Sequence, residues 1–83
     1  MGELSKLPNI STVIEEKLIG VGISTRQELF DMGSKDAFLR VRLKDTTACL
    51  SMLCAIEGAI QGVRWHNLPD TVKSDLRSFY KEL

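Results

Sequence analysis

Apolar residues recur along the chain at helical spacing in five stretches, and no segment alternates convincingly at the two-residue period of a strand. The first stretch, about Ser11 to Gly20, places Ile10, Ile14 and Leu18 in one i, i+4 row that Val21 closes, with Glu15, Glu16 and Lys17 on the other side. Glycines at 20 and 22 end it. Thr25, with Glu28 three residues on, predicts a capping box at the start of a second helix. Leu29 and Met32 supply that helix's buried side, and Gly33 stops it. Ser34 is the expected cap of a third, short helix, where Asp36 favours the N-terminal end of the dipole. Ala37, Phe38 and Val41 face inward there, and Lys35, Arg40 and Arg42 do not.

The fourth stretch, about Thr46 to Gln61, has a different pattern. Its segment "ACLSMLCAIEGAI" is apolar nearly all the way round, as a helix buried by its neighbours reads. At ~1.5 Å per residue it runs ~24 Å, the width of a small domain, and it is the expected central helix. Gly58 inside it gives up ~1 kcal/mol of helix propensity against Ala, which predicts close approach by another helix backbone. The fifth helix begins near "NLPD", where Pro69 suits the first helical position. Val72, Leu76, Phe79, Tyr80 and Leu83 form its inner stripe, with Lys73, Arg77, Lys81 and Glu82 outside it. The pattern predicts an all-α, compact five-helix domain over residues 1–83, with residues 1–6 a short flexible N-terminal tail. The expected core is Ile14, Leu18, Leu29, Phe38, Leu50, Leu53, Ile56, Ile60, Leu76 and Phe79, packed around the fourth helix.

Composition narrows this picture. Eighty-three residues hold one small core and no second. An apolar fraction of 43% and a charged fraction of 27% are ordinary for a soluble globular chain. A formal net charge of zero removes generic polyanion binding as the default. No apolar run approaches the ~20 residues of a membrane span, and "MGELSKLPNI" lacks the apolar core of a secretory signal. The expected compartment is the cytoplasm. Cys49 and Cys54 fall on one helical pattern but ~140° apart at ~100° per residue, too far round to bridge or to share a metal. Both read as small buried hydrophobes in a reducing compartment.

Four segments, "LPNISTVIEEKLIGVGI", "ELFDMGSKDAFLRVR", "ACLSMLCAIEGAIQGVRWHNLP" and "SFYKEL", together resemble the C-terminal domain of the TfoX (Sxy) competence-regulator family of bacteria. The likeness runs from Leu7 to the end, and "GVRWHNLP", which holds Arg64, Trp65 and His66, is its most distinctive element. It implies a compact helical domain of the SAM-like, helix-hairpin-helix type, an association with control of DNA-uptake genes, and no established enzymatic activity. The regulator's N-terminal TfoX domain has no counterpart in these 83 residues.

Leu7, Pro8, Asn9, Ile10 and Ser11 stand where the turn of a helix-hairpin-helix resembles Leu-Pro-Gly-Ile-Gly. Glycines there let the backbone approach a phosphate and present its N–H groups at a helix N-terminus. Asn9 and Ser11 replace them, and six residues before Leu7 are too few for the hairpin's first helix. Asn9 tolerates the left-handed conformation and Ser11 can cap a helix. The expectation is a structural turn that keeps its shape without a DNA contact. Residues 34–44 hold Lys35, Arg40, Arg42 and Lys44 against Asp36 alone, a local charge of +3 (four minus one) that leaves −3 for the remainder. That cluster suits an acidic protein patch or a phosphate backbone, against the bland reading of a solvated face. Trp65 reads as core or half-core, and His66 has no Cys or second His at metal spacing. No phosphate-binding loop, nucleophile elbow or paired-carboxylate motif occurs. No catalytic residue, metal, cofactor, small-molecule substrate or membrane contact is expected. The expected partner is another protein or a second copy of the chain, with nucleic acid as the alternative.

Overall fold

The first helix is set by a side-chain cap at its start and a backbone turn at its end. In the computed structural model, which describes residues 2–83, Ser11 is extended and its hydroxyl accepts the Ile14 N–H at 3.2 Å. It thus satisfies one of the donors that a helix start leaves free and opens α1 (Thr12–Ile19). At the other end the Ile23 N–H donates to Leu18 O at 2.9 Å across Gly22, whose φ of 90° no branched side chain adopts cheaply. Leu18 and Ile23 are both fully buried. Gly20, expected to share this role, keeps an ordinary right-handed helical backbone.

Thr25 and Glu28 form the expected capping box at the start of α2 (Arg26–Met32), and Gly33 separates α2 from α3 (Ser34–Lys44). Ser34 does not cap α3. It is the first helical residue, and its buried hydroxyl donates to Glu57 Oε1 at 2.6 Å. α4 (Leu50–Gln61) starts four residues later than its apolar pattern suggests. The Asp45 carboxylate accepts both the backbone N–H (3.0 Å) and the hydroxyl of Thr47, a local turn that competes with helix formation. Cys49 consequently precedes the helix, extended and exposed, contrary to its reading as a buried hydrophobe; Cys54 is buried. α5 (Asp70–Lys81) begins just after Pro69, which sits in the cap. Among the described residues, two short 3-10 turns, Leu4–Lys6 and Trp65–Asn67, complete the chain and no strand occurs.

α4 packs on α3, on α5 and on the Trp65–Asn67 turn, whereas α2 packs on α3 and α1 on both α3 and the Leu4–Lys6 turn. The centre is therefore the α3–α4 pair rather than α4 alone. Leu18, Leu29, Phe38, Leu53, Ile56 and Leu76 are buried as the pattern predicts, each worth ~1.5–3 kcal/mol relative to exposure. Ile14, Leu50, Ile60 and Phe79 are half-buried at the edge of that core. Leu83, placed on the inner stripe by spacing, is 46% exposed because α5 ends before it.

The expected N-terminal tail is the larger correction. Met1 lies outside the described residues, but Leu4 is fully buried and opens a 3-10 turn that packs on α1. Glu15 explains how that turn is held. Expected on the outer side of α1, it is buried, and its carboxylate accepts the N–H groups of Gly2 (3.3 Å) and Ser5 (3.1 Å). Burial pushes its pKa up, yet these backbone hydrogen bonds outweigh it and hold the carboxyl below its ordinary value.

Candidate functional site

The hairpin turn comes first. Ile10 N–H donates to Leu7 O at 3.4 Å, with Pro8 and Asn9 between them and Asn9 at φ 69°, the arrangement of a type II turn. Asn9 is the one non-glycine residue with positive φ among those described. Its side chain is committed to the protein. Nδ2 donates to Val63 O (2.9 Å) and Ala55 O (3.4 Å), and Oδ1 accepts the Trp65 N–H (3.1 Å). Gly58 makes this possible: a Cβ there would lie 2.6 Å from Asn9 Nδ2, 2.8 Å from Val63 O and 3.0 Å from Trp65 Cα. The close approach at Gly58 is thus by a side-chain amide and a turn, not by another helix backbone. Leu7, Pro8, Asn9, Ile10 and Ser11 together join the start of α1 to the end of α4, directly after the Leu4–Lys6 turn.

The four cations of α3 do not share one surface. Lys35 pairs with Asp75 at 2.7 Å, lies 5.3 Å from the Phe79 ring, and sits in an open groove with Asp36 and Glu57. Arg42 turns toward α5, donating to Ala48 O at 3.2 Å with its guanidinium 5.1 Å from the Tyr80 ring. Arg40 and Lys44, one helical turn apart, share a face. Lys44 Nζ donates to Gly20 O at 3.0 Å, which leaves its charge at the surface. Leu43 lies between them, 86% exposed. Arg40, Leu43 and Lys44 line a shallow depression of about 360 Å³ with Gly20 and Val21.

Away from these residues, Trp65 is half-buried against the core, and the His66 ring stacks on it at 3.9 Å. Lys73 Nζ donates to His66 O at 2.7 Å. Arg64 and His66 are exposed. Nearby Cys54 has its thiol pushed up by burial, against the pull of Arg77 and Lys73. Among the described residues, no three His, Cys, Asp or Glu side chains gather where they could hold a metal.

A family model, the TfoX C-terminal domain, matches residues 1–80. The chain belongs to this family. Two crystal structures from Listeria monocytogenes share the fold of this TfoX C-terminal domain. One, an uncharacterized protein in a triclinic form, is 51% identical with a TM-score of 0.94, over 95% of this chain and 90% of its own. The other, a protein of unknown function in a tetragonal form, is 50% identical with a TM-score of 0.92, over 94% of this chain and 96% of its own. No curated protein matches.

Two features of this TfoX C-terminal domain escape sequence reasoning. Leu43 carries a usable signal, since it lies three residues from Arg40 and so on the same helix face. The juxtaposition of Trp65 with Lys73 and Arg77 carries none, because only the packing of α5 on α4 creates it. Among the described residues, no helix is long and apolar enough to cross a membrane.

Proposed function

We propose that this TfoX C-terminal domain is a non-enzymatic regulatory module of the cytoplasm that binds a partner protein through the C-terminal face of α3. The observation that carries this reading is Leu43, 86% exposed between Arg40 and Lys44 on an otherwise well-packed helix. Covering such a side chain yields ~1.5–3 kcal/mol. Phosphates would engage the two cations and leave the leucine in water. A protein with an apolar recess rimmed by Asp and Glu engages all three, the cations steering the encounter and the leucine anchoring it. The rest of the chain carries −3 beside the +3 of residues 34–44, so a second copy, neutral overall, still offers acidic residues to this face. A non-catalytic role is supported by His66, which stands exposed with its ring stacked on Trp65.

Capture from native cell extract, with and without nuclease, tests the reading. The expected result is a discrete protein retained by the wild type regardless of nuclease and lost with Arg40→Glu and Lys44→Glu together. The variant should keep the helical circular-dichroism signal. Retention that nuclease abolishes would instead place nucleic acid on this face.

A further inference from the structure

Two cavities meet at Trp65. The larger, about 440 Å³, has Cys49, Ser51, Arg64, Trp65 and His66 in its walls. The smaller, about 230 Å³, has Ser51, Cys54, Trp65, Lys73 and Arg77. Ser51 and Trp65 belong to both, so the two form one crevice beside the start of α4. Its combined size falls in the ~300–1,000 Å³ range of small-molecule sites.

The chemistry of the walls is one-sided. Arg64, Lys73 and Arg77 line the crevice, and among the described residues no Asp or Glu does. The ion pairs among those residues are Lys17–Asp45, Arg26–Glu3 and Lys35–Asp75. The three crevice cations are therefore not neutralised by carboxylates. The first turn of α4 adds no acidic side chain and its Cys49 cap makes no side-chain hydrogen bond. Cations brought together from a turn and a separate helix without a carboxylate repel one another, and an anion relieves that repulsion. Between them the stacked Trp65 and His66 rings supply an aromatic surface. Cations interleaved with aromatic rings fit phosphate joined to a planar base. In the α3 cluster Lys35 and Arg42 each lie over a single ring and Lys35 is paired with Asp75; the Trp65 crevice sets its cations beside two stacked rings with no carboxylate in its walls among the described residues.

We infer that the Trp65 crevice binds a nucleotide unit, its phosphate held by Arg64, Lys73 and Arg77 and its base against the Trp65–His66 pair. The unit is a free nucleotide or one residue of a single strand; a duplex keeps its bases stacked inside and does not present one. The crevice lies apart from the Leu43 face, so this inference and the docking role stand or fall separately.

Trp65 is the only tryptophan, so its fluorescence reports this crevice alone. The purified chain is titrated with UMP, with a short oligothymidylate and with inorganic phosphate. The expected result is saturable quenching by UMP, the oligonucleotide or both, at least ~10-fold tighter than inorganic phosphate because a stacked base contributes. Whichever ligand binds identifies the source as a free nucleotide or a strand. For a strand, one neutralised phosphate predicts a log–log salt slope of about −0.7. Bound ligand should also slow alkylation of Cys49, which lines the crevice and is exposed. Arg64→Glu with Arg77→Glu should lower affinity at least ~10-fold by replacing attraction with repulsion, while Arg40→Glu leaves it unchanged. Both arginines are exposed, and circular dichroism checks that the double variant folds. No saturable change with either nucleotide probe overturns the inference. So does wild-type affinity in the folded Arg64, Arg77 variant, or inorganic phosphate binding as tightly as UMP.

Discussion

At Asn9 a left-handed backbone and three side-chain hydrogen bonds fall on one residue. The two contributions separate by substitution. Asn9→Gly keeps the backbone conformation and loses the hydrogen bonds, leaving partners on the α4–Trp65 connection unmet. A loss of about 1–3 kcal/mol in urea denaturation is expected. Asn9→Ala loses the easy conformation as well and should fall a further ~1–2 kcal/mol. The tolerance of Asn for this backbone is legible in the sequence. The destination of its side chain is not, because Val63 and Trp65 lie more than fifty residues away along the chain. Asp45 is the second residue with a measurable signature. The Lys17 ammonium, followed by the Thr47 hydroxyl and N–H, lowers its pKa from 3.8 to about 2. A carboxyl depressed in the folded state stabilises it fully above the unfolded value and loses that contribution as pH falls toward the folded one. Glu15 and Glu28 are lowered too and act in the same direction. Thermal unfolding followed by circular dichroism should therefore show Tm dropping as pH falls from about 4 toward about 2. Asp45→Asn should lower Tm at neutral pH and converge with the wild type at the acid end.

Among the elements, α4 shows what periodicity conveys and what it omits. Its apolar composition identifies a buried helix, and Leu53, Ile56 and Ala59 are buried as that reading requires. The pattern overruns the true start because Ala48 is buried without being helical, and burial alone does not distinguish helix from turn. Conversely, Leu4, Ile23 and Leu68 join the core from turns and short 3-10 segments, where no helical period marks them. The capping box of α2 and the Ser11 cap of α1 were legible, since each depends on residues within one turn. Gly58→Ala tests the packing of α4 against the hairpin turn. By propensity the change favours the helix by ~1 kcal/mol, but the new methyl would meet the Asn9 amide and two backbone groups. Overpacking of this kind costs ~1–3 kcal/mol, so net destabilisation is expected in the same urea assay. A stabilised variant would mean that the hairpin turn does not press on α4.

For the molecule as a whole, a neutral total conceals an uneven surface. Asp36, Glu57 and Asp75 gather with Lys35 in one groove, Arg40 and Lys44 flank Leu43 on another face, and Arg64, Lys73 and Arg77 line the Trp65 crevice. The excess of positive charge in residues 34–44 was legible from sequence, but its division was not. Lys35 and Arg42 are drawn toward α5 by Asp75 and Tyr80, and only packing reveals that. Of these three surfaces, the Arg40–Leu43–Lys44 face is the one we propose docks a protein. A photo-reactive phenylalanine derivative in place of Leu43, irradiated in living native cells, tests it most directly, with the same group at exposed Ser78 on α5 as the control. A discrete covalent protein product is expected from position 43, absent from Ser78 and lost with Arg40→Glu and Lys44→Glu. The cross-linked partner peptide should hold apolar residues beside Asp or Glu. A position-43 product no stronger than the Ser78 control, or one made of nucleic acid, would contradict it.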